Sequence, residues 1–278
     1  MNNTIHPVIK WAGSKRTQAE EIIALFPDNI MTYYEPFCGG CSVLIRLLES
    51  KKVARRYVVS DVNRDLISLW NLIKADPYTV YTEYNFLWKE LNKNDNMERK
   101  KKFYFYIRDR FNKDRSPTDF MFIMRTTVNG MPRYNKSGEF NNAFHVTRKG
   151  IEPEKLRNIL SYWNHKLNFN NVEFVCQEYK DIQSSKGDVL YLDPPYAGTR
   201  GMYYGAINYN DLWEWMRKQK GKYYLSFDGK TTSFDNTFAV PKDLYMDHKY
   251  LYAGNSSFRR IIGKSNSEYV KESMYIGN

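Results

Sequence analysis

Residues 32–75 constrain the fold of this 278-residue chain more tightly than any other stretch. Thr32-Tyr33-Tyr34-Glu35 reads as a strand, and it runs into a glycine turn, Pro36-Phe37-Cys38-Gly39-Gly40. A helix follows from Ser42 through Leu48. Arg56-Tyr57-Val58-Val59-Ser60 reads as the next strand and ends at Asp61, and Arg64 to Lys74 has the spacing of an amphipathic helix. Strand, glycine loop, helix, strand, acid, helix is the first half of a nucleotide-binding α/β sheet. The glycines let backbone approach a ligand closely, and the acid is placed to accept hydrogen bonds from ribose hydroxyls. The loop has neither G-x-G-x-x-G nor G-K-[ST] spacing, so a nucleoside without phosphates fits better than a dinucleotide or a nucleoside triphosphate. S-adenosylmethionine is the candidate. The plainer alternative is a tight strand–helix connection with a capping acid.

A second feature lies further on. Asp188-Val189-Leu190-Tyr191-Leu192 reads as a buried strand and leads into Asp193-Pro194-Pro195-Tyr196. Open α/β sheets place their ligands at the carboxyl ends of strands. Two prolines hold the turn extended and remove two N–H donors, leaving carbonyls to accept bonds from elsewhere. A carboxylate before them and an aromatic ring after them suit an amino group on a flat ring. Asp193 and a carbonyl would accept its hydrogens, and Tyr196 would stack on the ring. A surface turn is the bland alternative, since Asp, Pro and Tyr are all common in turns.

The remaining sequence narrows the partner. The net charge of +11 favours a polyanion, with nucleic acid ahead of anionic membrane. No apolar run is long enough to cross a bilayer, and there is neither a signal-peptide pattern nor a basic amphipathic helix, so a cytoplasmic protein is expected. Cys38, Cys41 and Cys176 are too few for a disulfide framework, and the chain lacks the further ligands a zinc site needs at metal spacing, so no metal is expected. From about Pro77 to Lys166 the pattern is helical and basic, with Arg99-Lys100-Lys101-Lys102 as one cluster. Strand signals return at 172–176, 188–192, 223–227, 244–252 and 268–276. The expected organisation is one α/β domain in two segments, 1–75 and 172–278, with a helical insertion at 76–171.

Two further segments carry chemistry. Lys10-Trp11-Ala12-Gly13-Ser14-Lys15 puts an aromatic, a glycine and a lysine before a helix-like stretch running from Ser14 to Phe26. That set could hold a carboxylate. Arg125-Thr126-Thr127-Val128-Asn129-Gly130-Met131-Pro132-Arg133-Tyr134-Asn135 and Ser137-Gly138-Glu139-Phe140-Asn141 form a polar loop in the basic insertion. Arg and Asn make bidentate contacts with guanine and adenine edges.

Taken in chain order, the motifs resemble those of the Dam-type, D12-class DNA adenine-N6 methyltransferases, over almost the whole chain. The resemblance implies a Rossmann-like S-adenosylmethionine-dependent methyltransferase sheet carrying a mostly helical DNA-recognition insertion. It implies methyl transfer to adenine N6 in double-stranded DNA by base flipping, with GATC the favoured target and a monomer the expected state. Asp193, Pro194, Pro195 and Tyr196 would be catalytic. Trp11, Lys15, Asp61 and Asp193 would bind the cofactor, with Phe37 and Gly39 lining its methionine end. Lys10, Asn129 and Arg133 would contact DNA, Arg133 reading a guanine. Two positions depart from the family pattern: Val128 stands where an aromatic wedge is usual, and Phe227 where a strand often ends in Asn. Cytosine-N4 and glutamine enzymes usually carry Ser and Asn at the first tetrad position, so Asp193 favours adenine. The alternatives are a methyltransferase acting on cytosine N4 or RNA, and a DNA-binding relative without catalysis.

Overall fold

A computed structural model describes residues 6–128, 130, 132–196, 207–231, 235–255 and 269–278. In chain order the elements begin with α1 (Ala19–Ala24), β1 (Asn29–Glu35), α2 (Ser42–Leu47) and β2 (Val53–Asp61). Five helices and a strand follow: α3 (Arg64–Ala75), α4 (Pro77–Asn92), α5 (Met97–Asp114), α6 (Pro117–Thr126), α7 (Pro153–Phe169) and β3 (Glu173–Cys176). The chain ends with β4 (Val189–Leu192), α8 (Tyr209–Arg217), β5 (Lys222–Thr231), β6 (Asp247–Asn255) and β7 (Tyr269–Gly277). This is the mixed α/β architecture expected, and the described residues fall into two compact units. One holds residues 6–14 and 61–176; the other holds 15–60, 177–196 and the described residues from 207 onward.

The second unit is built on sheet. Its strands run in the order β2-β1-β4-β5-β7-β6. Parallel pairing sets Tyr33 opposite Tyr57, Tyr34 opposite Leu190, and Leu192 opposite Leu225. The last two strands return antiparallel, with Ser226 opposite Met274 and Tyr250 opposite Ser273. Because β2, β1, β4 and β5 are parallel, the loops after β1 and β4 leave from the same edge of the sheet. All four residues of β4 are buried, so its side chains alternate between two covered faces. One face packs Leu190, Leu192 and Leu225 with Leu212, Trp215 and Met216 of α8. On the other, Phe26 meets the rings of Tyr33, Tyr191 and Tyr224 at 5.9, 6.4 and 4.6 Å.

The first unit is helical. The α6 segment Phe120–Met124 is completely buried, and α3, α4 and α5 pack around that helix. Asp119, 1% exposed on α6, is held by a two-pronged bond from Arg110. The sequence pattern changes at Pro77, yet the compact unit begins at Asp61. The reason is α3: it buries Leu66, Leu69, Trp70 and Ile73, and Trp70 packs on Trp163 of α7 at 5.0 Å and stacks on Phe174 of β3 at 5.6 Å. Side-chain caps start several of these helices. Asn63 caps α3, Asp76 caps α4 and Asn96 caps α5, each accepting a backbone N–H three residues on.

One expectation about local structure fails. The helix-like stretch from Ser14 is not helical until Ala19. Lys15 is buried, its N–H donates to Ser42 Oγ at 3.0 Å, and its carbonyl accepts from Gln18 in a tight turn. Lys15 to Gln18 make this turn, and the helix opens only after it.

Candidate active site

The Asp193-Pro194-Pro195-Tyr196 turn follows the completely buried strand β4, and the charges around it are unusual. Lys15 is only 3% exposed. Its Nζ lies 2.8 Å from Asp193 Oδ1 and 3.4 Å from Glu272 Oε2, and 5.0 Å from the centroid of the Tyr196 ring. The Tyr196 hydroxyl is within bonding distance of both acids, at 3.2 Å from Asp193 and 3.3 Å from Glu272. Burial pushes the Asp193 carboxyl up from the ordinary range, Lys15 pulls it back, and the charge of Glu272 adds to the rise. Asp228 on β5 is pushed up to about 6, by burial first and then by Glu272, against the pull of Lys15. Three carboxyl groups therefore surround one buried ammonium, and burial together with their mutual repulsion raises both Asp193 and Asp228.

The two prolines of the turn differ in what their carbonyls meet. The Pro195 carbonyl accepts from Tyr209 at 2.8 Å, which ties the turn to α8. Nothing among the described residues donates to the Pro194 carbonyl. Phe227 is buried and its ring lies 5.6 Å from Tyr196, inside a cluster with Tyr209, Trp213 and Phe238. The departure at Phe227 thus becomes an aromatic backing for Tyr196.

The loop after β1 leaves the sheet beside this turn. Gly39 has φ 45° and Cys41 φ 53°, both left-handed, and the Cys38 amide donates to the Ser60 carbonyl at 3.0 Å. Only glycine takes such a conformation without strain, which is why Gly39 stands there. Phe37 packs on Tyr179 at 5.5 Å. Glu35, 2% exposed, accepts from the Tyr33 hydroxyl at 2.7 Å. Burial pushes its carboxyl up to about 8, with the Tyr33 bond opposing and the Asp193 charge assisting.

The remaining candidate residues belong to the first unit. Asp61 ends β2 and accepts the Asn63 amide at 2.9 Å. Trp11 is half-buried and Lys10 exposed. Gly130 has φ +62°, and a Cβ there would lie 2.7 Å from the Lys10 Cβ, so this loop backs directly onto Lys10. Arg133 is exposed. Asn129 lies outside the described residues.

Two polar residues of the 125–141 segment are committed to backbone, Arg125 to the N-terminal segment and Asn135 to its own loop. Arg125 is buried and donates to the Pro7 and Val8 carbonyls, and Asn135 accepts the amides of Ser137 and Glu139. Glu272 and Asp228 escaped the sequence reading, because an acid in a strand ordinarily marks a solvent face. Arg148 escaped it as well. It donates to the Thr127 carbonyl at 2.7 Å and acts with Arg125 on Lys10, whose pKa is lowered first by burial and then by these two cations.

The family model of D12 class N6 adenine-specific DNA methyltransferases matches residues 11–275, so the chain belongs to that family. It is 35% identical over 212 residues to the type II methyltransferase M.MjaIII of Methanocaldococcus jannaschii, covering 69% of each chain. It is 31% identical to the DNA adenine methylase of Haemophilus influenzae, across 69% of this chain and 64% of that protein. The DNA adenine methylase of Escherichia coli is 32% identical across 68% of this chain and, again, 64% of the other. The chain thus spans just under two-thirds of the last two relatives. Methylation of adenine N6 in DNA is the activity of the family, and methyl transfer of this class implies S-adenosylmethionine dependence. No described helix is long and apolar enough to cross a membrane.

Proposed function

We propose that the protein methylates adenine N6 at a specific duplex sequence, GATC being the favoured target, with S-adenosylmethionine as donor and the target base flipped out of the helix. The observation that carries this reading is the Lys15–Asp193–Glu272–Tyr196 cluster beside the glycine loop after β1. A ligand bearing a sulfonium and an ammonium suits a cluster rich in carboxyl groups. Lys15 would take its carboxylate, Phe37 and Gly39 its methionine end, Trp11 its purine side, and Asp61 its ribose hydroxyls. The sheet unit would be the catalytic part and the helical unit the recognition part. S-adenosylmethionine supplies an electrophilic methyl group when bound.

The residues then do the alignment. Adenine's exocyclic amine is a poor nucleophile because its lone pair is shared with the ring. Asp193 and the Pro194 carbonyl accept its two hydrogens and draw it toward tetrahedral geometry, which aims the lone pair at the methyl group. Positive charge develops on N6, and the Asp193 carboxylate stabilises it in a site already built to hold a cation. Pro195, fixed by Tyr209, sets the direction of the Pro194 carbonyl. Tyr196, backed by Phe227, supplies the stacking that the base loses on leaving the duplex. The proton leaves to solvent after transfer. Lys10, Asn129 and Arg133 contact DNA, with phosphate contacts from the basic unit making affinity salt-sensitive.

Incubation with labelled S-adenosylmethionine and an adenine-containing duplex tests this. Methyl incorporation into N6-methyladenine, identified by nucleoside mass analysis, is expected, and Asp193→Ala is expected to lower the rate by about a thousandfold. Incorporation into cytosine or RNA alone, or none above the variant, overturns it.

A further inference from the structure

We propose that Asp65 is a positioning residue for target specificity, holding the 133–141 loop in the conformation that presents Arg133 to DNA; this rests on the reading of that loop as the DNA-recognition element.

Asp65 lies four residues after Asp61, the acid expected to meet ribose hydroxyls, yet its carboxylate serves another partner. Asp61 accepts the amide of Asn63, and Asn63 caps α3. Asp65 lies in the first turn of α3, and its side chain is 13% exposed. One oxygen, Oδ2, takes the Tyr134 hydroxyl at 2.7 Å and Arg115 Nη1 at 3.2 Å. Arg115 reaches the loop a second time, donating through Nη2 to the Gly138 carbonyl at 2.6 Å. Its guanidinium also lies 5.3 Å from the Phe111 ring centroid and 5.9 Å from that of Tyr134. A charged two-residue bridge therefore grips the loop at both Tyr134 and Gly138.

The rest of the loop is organised around that grip. Asn112 brackets Phe140, donating to its carbonyl at 3.0 Å and accepting its amide at 2.7 Å. The Asn135 amide donates to the Glu139 carbonyl at 2.8 Å, and the Asn141 amide to the Arg133 carbonyl at 2.9 Å. Tyr134 and Phe140 meet edge to face at 5.7 Å. The Arg133 carbonyl and the backbone that follows it are thus committed, while its side chain is exposed. A guanidinium that must meet a guanine edge with two parallel bonds needs its stem held, since a loose fork reads several bases equally well. The hydroxyl of Tyr134 touches no reacting group in this scheme; it acts through the loop.

The test is the methylation pattern on a library of duplexes with randomised sequence around adenine, mapped base by base, for the wild type and for Arg133→Ala, Tyr134→Phe and Asp65→Asn. Both of the last two keep shape while removing the charge-assisted bond. They are expected to lower discrimination by about tenfold, the size of one such bond, at the same base-pair position that Arg133→Ala relaxes. The loss should appear as a higher KM for cognate duplex, with the KM for S-adenosylmethionine held and the fold retained at the assay temperature. Relaxation at the Arg133 position in the Arg133→Ala variant alone, with Tyr134→Phe and Asp65→Asn retaining the wild-type pattern, overturns the positioning role. An unchanged pattern in Arg133→Ala overturns instead the reading of the loop through Arg133.

Discussion

Each of the two units buries a charged side chain, and the groups around the two differ: acids surround one, and cations lie near the other. In the sheet unit Lys15 is surrounded by Asp193, Glu272 and Asp228. In the helical unit Arg125 is buried and its Nε has no partner among the described residues, while the charges acting on Lys10 are Arg148 and Arg125, both of its own sign. Burial alone holds the Arg125 guanidinium down to about 10, so it remains charged at neutral pH. Buried charge without full compensation is costly, and it persists where a ligand completes it. The first cluster would suit a sulfonium donor and the charge proposed to develop on N6, whereas Arg125 in the second is spent on the Pro7 and Val8 carbonyls. One chain at +11 thus keeps a local excess of acid where methyl transfer is proposed, and composition could not reveal that contrast.

The largest expected effect tests the acidic cluster. Lys15→Met leaves Asp193 and Glu272 facing each other without their counter-ion, and should cost about 3 kcal/mol in denaturant unfolding. Adding Glu272→Gln should return part of that loss. If Lys15→Met leaves stability unchanged, the acids are solvated and the contrast between the two clusters collapses.

A smaller effect belongs to the basic side. Gly130→Ala meets a left-handed φ and a 2.7 Å approach to the Lys10 Cβ. It should cost about 1–3 kcal/mol in the same measurement, with weaker duplex binding in a fluorescence titration. Unaltered stability and affinity would mean that Lys10 and the loop are not mechanically joined.

The smallest effect is a slope. Glu35 has an ordinary value of 4.5 and sits at about 8 in the fold. The folded state therefore holds a proton that the unfolded chain has released, so this group's contribution is full below 4.5 and is lost as pH rises toward about 8. Melting temperature measured across that window should fall less steeply in Glu35→Gln than in the wild type. Arg125 stays charged throughout and adds no slope there.

Much of the fold was legible because its signals are short-ranged. The β1–glycine loop–α2–β2 run announces itself through strand residues, two glycines and an acid, and Arg64–Ala75 through helical spacing. The Ser14–Phe26 stretch misled because Lys15, apparently the opening of an amphipathic helix, lies in a turn before it and is bonded to Ser42 and Asp193. Arg125 and Asn135 looked like base readers because residue type alone does not show which way a side chain is committed.

The sequence by itself determined the family, the α/β class, and the presence of an Asp-Pro-Pro-Tyr turn after a buried strand, since each depends on neighbours within a few residues. Tertiary structure alone decided what surrounds Asp193. Lys15 arrives from before the first helix, Glu272 from the last strand, and Phe227 from the strand paired with it. Strand register sets which face Glu272 points to, and a slip of one residue would send its carboxylate to the opposite face. Long-range pairing of this kind leaves no mark in local spacing, so the charged groups of the candidate active site could be found only in the folded molecule.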